Sequence, residues 1–367
     1  SARQLTAHCI ARRTTSPGAP LLRFFSFLPS FSVRPRPMFD AFLVDTRDGD
    51  RVAEVRSIEP ADLPDADTHL EILYSSLNYK DALAITGKGK IIRGDLPMVP
   101  GIDLVGRVVS SESDRFAEGD LVIGTGWQLG EVVWGGYTQE ARVASDKLVA
   151  LPDGLTPRQS MQIGTAGFTA MLSVRALEEH GTTPGSGAVL VTGASGGAGS
   201  MAVALLAARG FDVAASTGSE GAHDYLRDLG AARIVPRSDL DQGPGRPMEK
   251  GLWAGAIDAV GGHTLATIIA QLKRRCSVAA FGNAGGFDLN TTVFPFILRG
   301  VNLLGIDSNT CPNDRRTAAW EDLADLLDAD TLDAMTARTV GLNDLVDASE
   351  AVLGGSVRGR ILVDLSA

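Results

Sequence analysis

The stretch VLVTGASGGAGS at residues 189–200 decides the fold of this chain. A β-branched run breaks into glycines and continues into an apolar segment, which predicts a strand, a tight turn and a helix in that order. Gly193, Gly196 and Gly199 lie three residues apart. Such a turn lets the backbone approach a pyrophosphate and aims the first amides of the helix at its charge. The stretch therefore predicts a dinucleotide site, with a glycine turn of purely steric origin as the alternative.

Composition narrows the class of protein. The chain has 367 residues, 44% of them hydrophobic, which is enough for a large core and two domains. A formal charge of −10 disfavours a nucleic-acid surface, and no apolar run reaches the roughly 18 residues of a membrane span. We therefore expect neither nucleic acid nor a membrane as a partner. Cys9, Cys276 and Cys311 are scattered, which indicates a reducing compartment and no thiolate metal site.

Residues 1–37 differ from the rest of the chain. They contain six arginines and neither lysine nor acid, a composition that resembles an organelle transit peptide. A non-native extension ahead of Met38 explains the segment equally well. In either case we expect residues 1–37 to be disordered and outside the fold. The expected location is the cytoplasm, or a mitochondrion or another organelle if the leader is genuine.

The remaining sequence shows two successive patterns of predicted secondary structure. Short strands with turn residues between them run from Phe39 to about Ala150 and indicate a small β-barrel or sandwich. Thr156-Pro157 then predicts a helix start, and alternating strand and helix patterns follow, which predict a doubly wound parallel sheet. A last strand pattern at 360–365 is expected to return to the first domain. The alternating region contains predicted strands at 188–192, 212–216, 233–236, 255–259, 277–281 and 302–306, and predicted helices at 197–208, 221–229 and 263–273.

The end of the second strand of this sheet bears on the cofactor. NAD-binding units place an acid there to bond the ribose hydroxyls. Here the strand ends in Ser216-Thr217-Gly218-Ser219, without a carboxylate, and Glu220 follows at a predicted helix start. Arg237 follows the third strand and can reach the same place. The pattern favours NADPH, because no acid repels its 2′-phosphate.

A dense polar group, Asn78-Tyr79-Lys80-Asp81, lies at a predicted strand-to-helix junction. As a catalytic group, it offers Tyr79 as a proton donor or cofactor contact and Asn78 as an oxyanion donor. Lys80 and Asp81 then form a supporting pair. The structural alternative is Asn78 as a helix cap beside two solvated charges.

Metal ligands and phosphate ligands can both be assessed from residue spacing. The histidines are isolated from one another and from the cysteines, so we predict no metal site. Six basic residues are candidates for holding the phosphates of a coenzyme A tail, and solvated surface charge is the alternative. These residues are Lys88, Lys90, Arg93, Arg299, Arg315 and Arg316.

Several motifs follow one another in a fixed order around the glycine turn. They are Leu77-Asn78-Tyr79-Lys80-Asp81, Pro97-Met98-Val99-Pro100-Gly101-Ile102-Asp103, Gly119-Asp120-Leu121-Val122 and Gly164-Thr165-Ala166-Gly167-Phe168-Thr169-Ala170. Together they resemble the zinc-independent medium-chain dehydrogenases and reductases, in their quinone oxidoreductase-like branch, over nearly all of residues 38–367. Segments 253–258, 284–287 and 294–299 resemble the acrylyl-CoA reductases within that branch.

This resemblance implies an α/β fold in which a Rossmann doubly wound parallel sheet is inserted into a GroES-like β-barrel catalytic domain. The catalytic domain would comprise 38–159 and 305–367, and the NADP-binding domain 160–304. Zinc-dependent relatives carry Gly-His-Glu where this chain has Gly101-Ile102-Asp103, and a four-cysteine lobe that this chain lacks. The resemblance therefore also implies a site without metal, and a homodimer.

The resemblance implies a set of NADP(H) contacts as well. Relatives often carry arginine where this chain has Ser219, so Arg237 or Ser216 must hold more of the 2′-phosphate. The implied contacts are Tyr79, Gly193, Ser195, Gly196, Gly197, Ala198, Thr217, Gly218, Ser219, Arg237, Asn283, Ile297 and Ser308.

The implied reaction is NADPH-dependent reduction of the C=C bond of a small α,β-unsaturated thioester, acrylyl-CoA to propionyl-CoA, without metal. Hydride goes to the β-carbon, the enolate oxygen is met by Asn78, backbone amides or the cofactor ribose, and Tyr79 or water protonates the α-carbon. Two alternatives stay open. One is an NADPH-dependent quinone or enone oxidoreductase, and the other is an NADPH-binding protein with little catalysis.

Overall fold

Antiparallel strands build the N-terminal part of the described chain. The computed structural model describes residues 38–366, so the prediction for residues 1–37 lies outside the described residues. β1 and β2 form a hairpin whose turn, Asp48-Gly49, has positive φ at both residues, as a two-residue hairpin turn requires. β3 pairs with β4 and β6, and β4 is followed by β5 and β7. The elements are β1 (Phe39–Arg47), β2 (Asp50–Ile58), β3 (Thr68–Leu77), α1 (Tyr79–Thr86), β4 (Asp103–Ser111), β5 (Leu121–Thr125), β6 (Glu140–Val143) and β7 (Leu148–Ala150).

A six-stranded parallel sheet follows in the chain. Its strand order is β10-β9-β8-β11-β12-β13, which confirms the predicted doubly wound sheet. The order reverses between β8 and β11, where open parallel sheets bind their ligands. The elements are α2 (Pro157–Glu179), β8 (Val189–Val191), α3 (Gly197–Ala208), β9 (Val213–Thr217), α4 (His223–Asp228), β10 (Arg233–Pro236), β11 (Gly255–Asp258), α5 (Gly262–Gln271), β12 (Ser277–Ala280), α6 (Phe294–Arg299) and β13 (Asn302–Gly305).

The C-terminal segment returns to the first sheet. β15 pairs antiparallel with β3 and parallel with β14, so the expected return of the tail is observed. The remaining elements are α7 (Asn313–Leu326), α8 (Ala329–Met335), β14 (Thr336–Val340), α9 (Leu345–Leu353) and β15 (Arg360–Asp364).

Helix α2 joins the two parts of the fold. The Thr156 side chain accepts a hydrogen bond from the backbone of Gln159, and Pro157 is the first helical residue, as the sequence predicts. The helix then runs through the proposed domain boundary at 159–160. Phe168, from its buried face, stacks on Trp320 of α7 with ring centroids 6.1 Å apart. One apolar core therefore extends from the first sheet through α2 into the parallel sheet.

Candidate active site

A cleft of about 550 Å³ lies at the point where the order of the parallel sheet reverses. The glycine turn after β8 lines it together with the start of α1 from the first sheet. Eleven of the sequence-predicted residues line this cleft, and five do not. The lining residues are Asn78, Tyr79, Lys80, Gly193, Ser195, Gly196, Gly197, Ala198, Arg237, Asn283 and Ser308; the others are Asp81, Thr217, Gly218, Ser219 and Ile297.

The glycine turn is packed tightly enough to require its glycines. Gly193 has φ +59°, and its carbonyl accepts a hydrogen bond from Gly196 N at 3.0 Å. A Cβ at Gly199 would lie 2.2 Å from that same carbonyl oxygen. The turn therefore brings the first residues of the 12-residue helix α3 into the cleft, where their unpaired N–H groups suit a pyrophosphate.

The end of β9 offers hydroxyls and a cation rather than an acid. The hydroxyls of Ser195 and Thr217 lie 3.2 Å apart, and Ser219 N donates to the Thr217 hydroxyl. The Arg237 guanidinium lies against Gly218, where an added Cβ would be 2.9 Å from its Cζ. Within the part of the chain that the structure describes, no ion pair or hydrogen bond engages the Arg237 side chain. This arrangement fits a phosphate on the adenosine ribose and therefore fits NADPH.

Beneath the cleft, Asp103 and Arg360 form a buried charge cluster. Asp103 is fully buried and Arg360 is 3% exposed, with Arg360 Nη2 and Asp103 Oδ2 3.9 Å apart. Asp103 accepts hydrogen bonds from the Ser76 hydroxyl, from Asn78 Nδ2 at 2.8 Å, and from both the amide and the hydroxyl of Thr165. Four donors to one carboxylate offset the cost of burying its charge.

Arg360 uses its guanidinium to join separate segments. It donates to Asn78 Oδ1 at 3.0 Å, to the Ser76 hydroxyl at 2.8 Å and to the Gln162 carbonyl at 3.1 Å. The burial of the guanidinium lowers the pKa of Arg360, and the charge of Asp103 opposes that shift. β3, the start of α1, and α2 are therefore held by one side chain from β15.

Gly164 shows how closely α2 approaches this cluster. Its φ of 50° and ψ of −161° interrupt the helical geometry of α2. A Cβ here would lie 2.6 Å from Arg360 Nη2, from Asp103 Oδ2 and from the Ser76 hydroxyl. Glycine is therefore required, and the kink it permits presents the Thr165 amide to Asp103.

The structure corrects the predicted oxyanion role of Asn78. Its Nδ2 donates to Asp103 and Asp81, and its Oδ1 accepts from Arg360, so the hydrogen-bonding groups of its side chain amide are engaged. Asp81 accepts from the Asn78 backbone at 2.9 Å and from Ile102 N at 2.9 Å. Burial, and then the charge of Asp103, raise the pKa of Asp81 to about 7. Asn78 and Asp81 thus fix the start of α1 and do not face the cleft as free donors.

The predicted Lys80–Asp81 pair is also wrong. Successive residues of an α-helix point in directions about 100° apart, so neighbouring side chains diverge. Lys80 Nζ instead lies 3.0 Å from Glu131 Oε1. Tyr79 is 50% exposed, and no hydrogen bond with residues 38–366 engages its hydroxyl. Tyr79 and Lys80 therefore remain as candidates for direct contact with a ligand.

Four of the six basic candidates for a coenzyme A tail have partners within the described residues. Arg299 donates to the carbonyls of Ala270, Leu272 and Glu249. Arg315 pairs with Glu179. Arg316 is buried, donates to Thr125, and lies over the rings of Trp127 and Phe168, and its burial lowers its pKa to about 10. Arg93 pairs with Glu131. Arg299 and Arg316 therefore stabilise the fold, whereas Lys88, Lys90, Arg93 and Arg315 are exposed.

No group of three or more His, Cys, Asp or Glu side chains within residues 38–366 is placed to hold a metal ion. Ile102, where zinc-dependent relatives carry histidine, is a buried apolar residue. The residues present therefore do not fit zinc.

None of the described helices is long and apolar enough to cross a membrane.

Comparison with known proteins places these features in a family. The profile of the alcohol dehydrogenase GroES-like domain matches residues 64–153, and that of the zinc-binding dehydrogenases matches 197–328. The acrylyl-CoA reductase AcuI of Ruegeria pomeroyi is 50% identical over 332 residues, which cover 90% of this chain and 100% of that protein.

Two solved structures are similar over almost their whole length. The yhdH oxidoreductase of Salmonella enterica, in complex with NADP, has a TM-score of 0.86 and 50% identity, covering 89% of this chain and 99% of its own. The yhfP protein of Bacillus subtilis, with NAD bound, has a TM-score of 0.86 and 44% identity, and the match covers 90% of this chain and 100% of that protein's chain. Proteins of this fold thus occur with either nicotinamide dinucleotide.

The buried cluster predicts a non-additive effect on stability. Arg360→Met should lower the free energy of unfolding by about 3–5 kcal/mol, because Asp103 is left charged and unpaired in the interior. Adding Asp103→Asn should recover part of that loss. Denaturant unfolding of both single variants and the double variant measures the coupling. Arg158→Met, which breaks an exposed pair with Asp333, is the control and should cost about 1 kcal/mol or less. Strictly additive losses would contradict the cluster.

Proposed function

Because this chain belongs to the medium-chain dehydrogenase/reductase family, we propose that it is an NADPH-dependent oxidoreductase that reduces acrylyl-CoA to propionyl-CoA. The observation that carries the proposal is a single cleft lined by both the glycine turn and the exposed Tyr79. The similar Ruegeria protein is named an acrylyl-CoA reductase and matches over its full length. No step of the proposed reaction uses a metal ion.

The chain supplies three kinds of contact to the cofactor. The first amides of α3 would hold the pyrophosphate, and Arg237 with the hydroxyls at the end of β9 would hold the 2′-phosphate. NADPH, when bound, supplies the hydride that the β-carbon of the substrate accepts. The protein therefore contributes orientation and charge, and the remaining chemistry falls to side chains that line the cleft.

One side chain is placed to complete the reduction. When the β-carbon accepts a hydride, negative charge develops on the thioester oxygen and the α-carbon requires a proton. Tyr79 lines the cleft, and no hydrogen bond with residues 38–366 engages its hydroxyl. We assign the thioester oxygen to backbone amides that line the cleft, and proton delivery to the Tyr79 hydroxyl or to water held by it.

The activity is tested with purified protein, NADPH and acrylyl-CoA, with loss of NADPH absorbance as the readout. We expect turnover, and Tyr79→Phe should lower kcat about a hundredfold, the usual contribution of a positioned proton donor. Tyr74→Phe makes the same chemical change on β3, outside the cleft lining, and serves as the control. Turnover with quinones but not with acrylyl-CoA would favour the quinone or enone alternative. NADPH binding without any turnover would favour the cofactor-binding alternative.

Cofactor choice rests on Arg237 in this proposal. Arg237→Ala should raise KM for NADPH about tenfold or more and leave KM for NADH nearly unchanged, because only NADPH carries the 2′-phosphate. Arg233→Ala removes a neighbouring exposed cation that pairs with Asp212, and it should change neither value appreciably. Steady-state kinetics with both dinucleotides measure the difference. Equal losses with NADH and NADPH would place Arg237 outside the phosphate site.

We also propose a homodimer formed along β13. This strand ends the parallel sheet, and Leu303 on it is 39% exposed, beside Ile297 and Leu298 of α6 at 69% and 52%. An apolar strand edge is a pairing surface, and two copies can join it edge to edge around a two-fold axis. Sedimentation equilibrium should give twice the 38.5 kDa chain mass, and Leu303→Asp should shift the protein toward monomer. A monomeric wild-type chain would contradict the dimer.

A further inference from the structure

A buried carboxylate at the edge of the active-site cleft holds two cations. Glu131 is 6% exposed, and its two oxygens lie 3.0 Å from Lys80 Nζ and 3.0 Å from Arg93 Nη2. The backbone amides of Arg93 and Gly94 also donate to the Glu131 carbonyl, at 2.7 and 2.9 Å. Both the main chain and the side chain of Arg93 are therefore fixed relative to Glu131.

The two cations remain open to solvent despite this pairing. The side chain of Lys80 is 40% exposed and that of Arg93 is 55% exposed, and Lys80 lines the cleft next to Tyr79. One carboxylate between two cations leaves these three side chains with a net positive charge and several unused N–H donors, and Asp307 is a second acid within electrostatic range of Lys80. A carboxylate that spaces two exposed cations in this way pre-organises them, which lowers the entropic cost of binding an anion.

The surrounding sequence concentrates positive charge in a chain that is otherwise acidic. Between residues 80 and 93 the only acid is Asp81, which is buried, while the whole chain has a formal charge of −10. The acids that offset part of this charge are Asp95, which is near in sequence, and Glu131 and Asp307, which interact with Lys80. The cations of the segment are Lys80, Lys88, Lys90 and Arg93.

We propose that Lys80 and Arg93, spaced by Glu131, bind phosphate groups of the coenzyme A moiety at the rim of the cleft. The inference rests on the proposed function, because it assigns a place to the phosphorylated end of that substrate. Arg and Lys are the residues that recognise phosphate, Arg through paired donors and Lys as a point charge. The alternative is that Lys80, Arg93 and Glu131 only hold α1 against the segment around Glu131 and bind no ligand.

Kinetics with two thioesters separate these roles. Lys80→Ala and Arg93→Ala should each raise KM for acrylyl-CoA about tenfold, because each removes a charge-assisted contact. With acrylyl-pantetheine, which has the same reacting group and no phosphate, KM of the Arg93→Ala variant should match that of the wild type. Arg142→Ala is the control, since it removes a cation of the same exposure as Lys80 from β6. The salt dependence of kcat/KM should also be shallower in both variants.

Each other outcome overturns the assignment. An equal rise in KM with both thioesters would mean that Lys80, Arg93 and Glu131 act on the reacting group or on the fold. An unchanged KM for acrylyl-CoA would mean that they bind no phosphate. If Arg142→Ala raises KM for acrylyl-CoA as much as Arg93→Ala does, the effect comes from the overall charge of the protein and not from a local site.

A binding experiment separates failure of the site from failure of the proposed activity. Free coenzyme A is titrated calorimetrically into the wild-type chain and into Arg93→Ala. If acrylyl-CoA is not turned over but Arg93→Ala weakens coenzyme A binding about tenfold, the phosphate site stands and the proposed reaction fails. If coenzyme A binds both proteins equally, or neither, the phosphate site is wrong whatever the activity.

Discussion

The buried interaction of Asp103 with Arg360 is the constraint on which the rest of this structure depends. A charged pair in the interior is tolerated only when its remaining donors and acceptors are satisfied. Here they are satisfied by groups from β3, the start of α1, the kink of α2 and β15. Gly359, the residue before β15, contacts the glycine turn, and its N–H donates to the Ser195 carbonyl. An added Cβ at Gly197 would lie 3.0 Å from Arg360 Cδ.

This constraint explains why the side chains of the first sheet and the cofactor turn meet in one cleft. Asn78 is held on two sides, by Asp103 and by Arg360, so the residue after it, Tyr79, begins α1 at a fixed place. The glycine turn is held against β15 from the other side. Within the polar group at residues 78–81, Asn78 and Asp81 are therefore structural. Tyr79 and Lys80 are the members that can contact a ligand.

The sequence was sufficient for much of the fold, because strand and helix periods are local signals. Helix α3 and strand β10 begin and end where the alternating pattern places them. Strand β2 and helix α8 were not predicted, although the Asp48-Gly49 hairpin turn precedes β2 and Asp328 caps the start of α8. The cofactor side of the site was predicted from the glycine spacing. The cluster around Asp103 was not, because Arg360 and Asn78 lie 282 residues apart and no local pattern reports such a contact. The Lys80–Glu131 pair was missed for the same reason.

The proposed function requires that this cleft direct hydride to the β-carbon of an unsaturated thioester. The most direct test uses NADPH deuterated at the transferable position of its nicotinamide ring, with acrylyl-CoA as acceptor. Mass spectrometry and NMR then locate the label in the product. The proposed reaction should place one deuterium on the β-carbon of propionyl-CoA and a solvent-derived hydrogen on its α-carbon. Propionyl-CoA with deuterium on the α-carbon, or with no deuterium on the β-carbon, would contradict it.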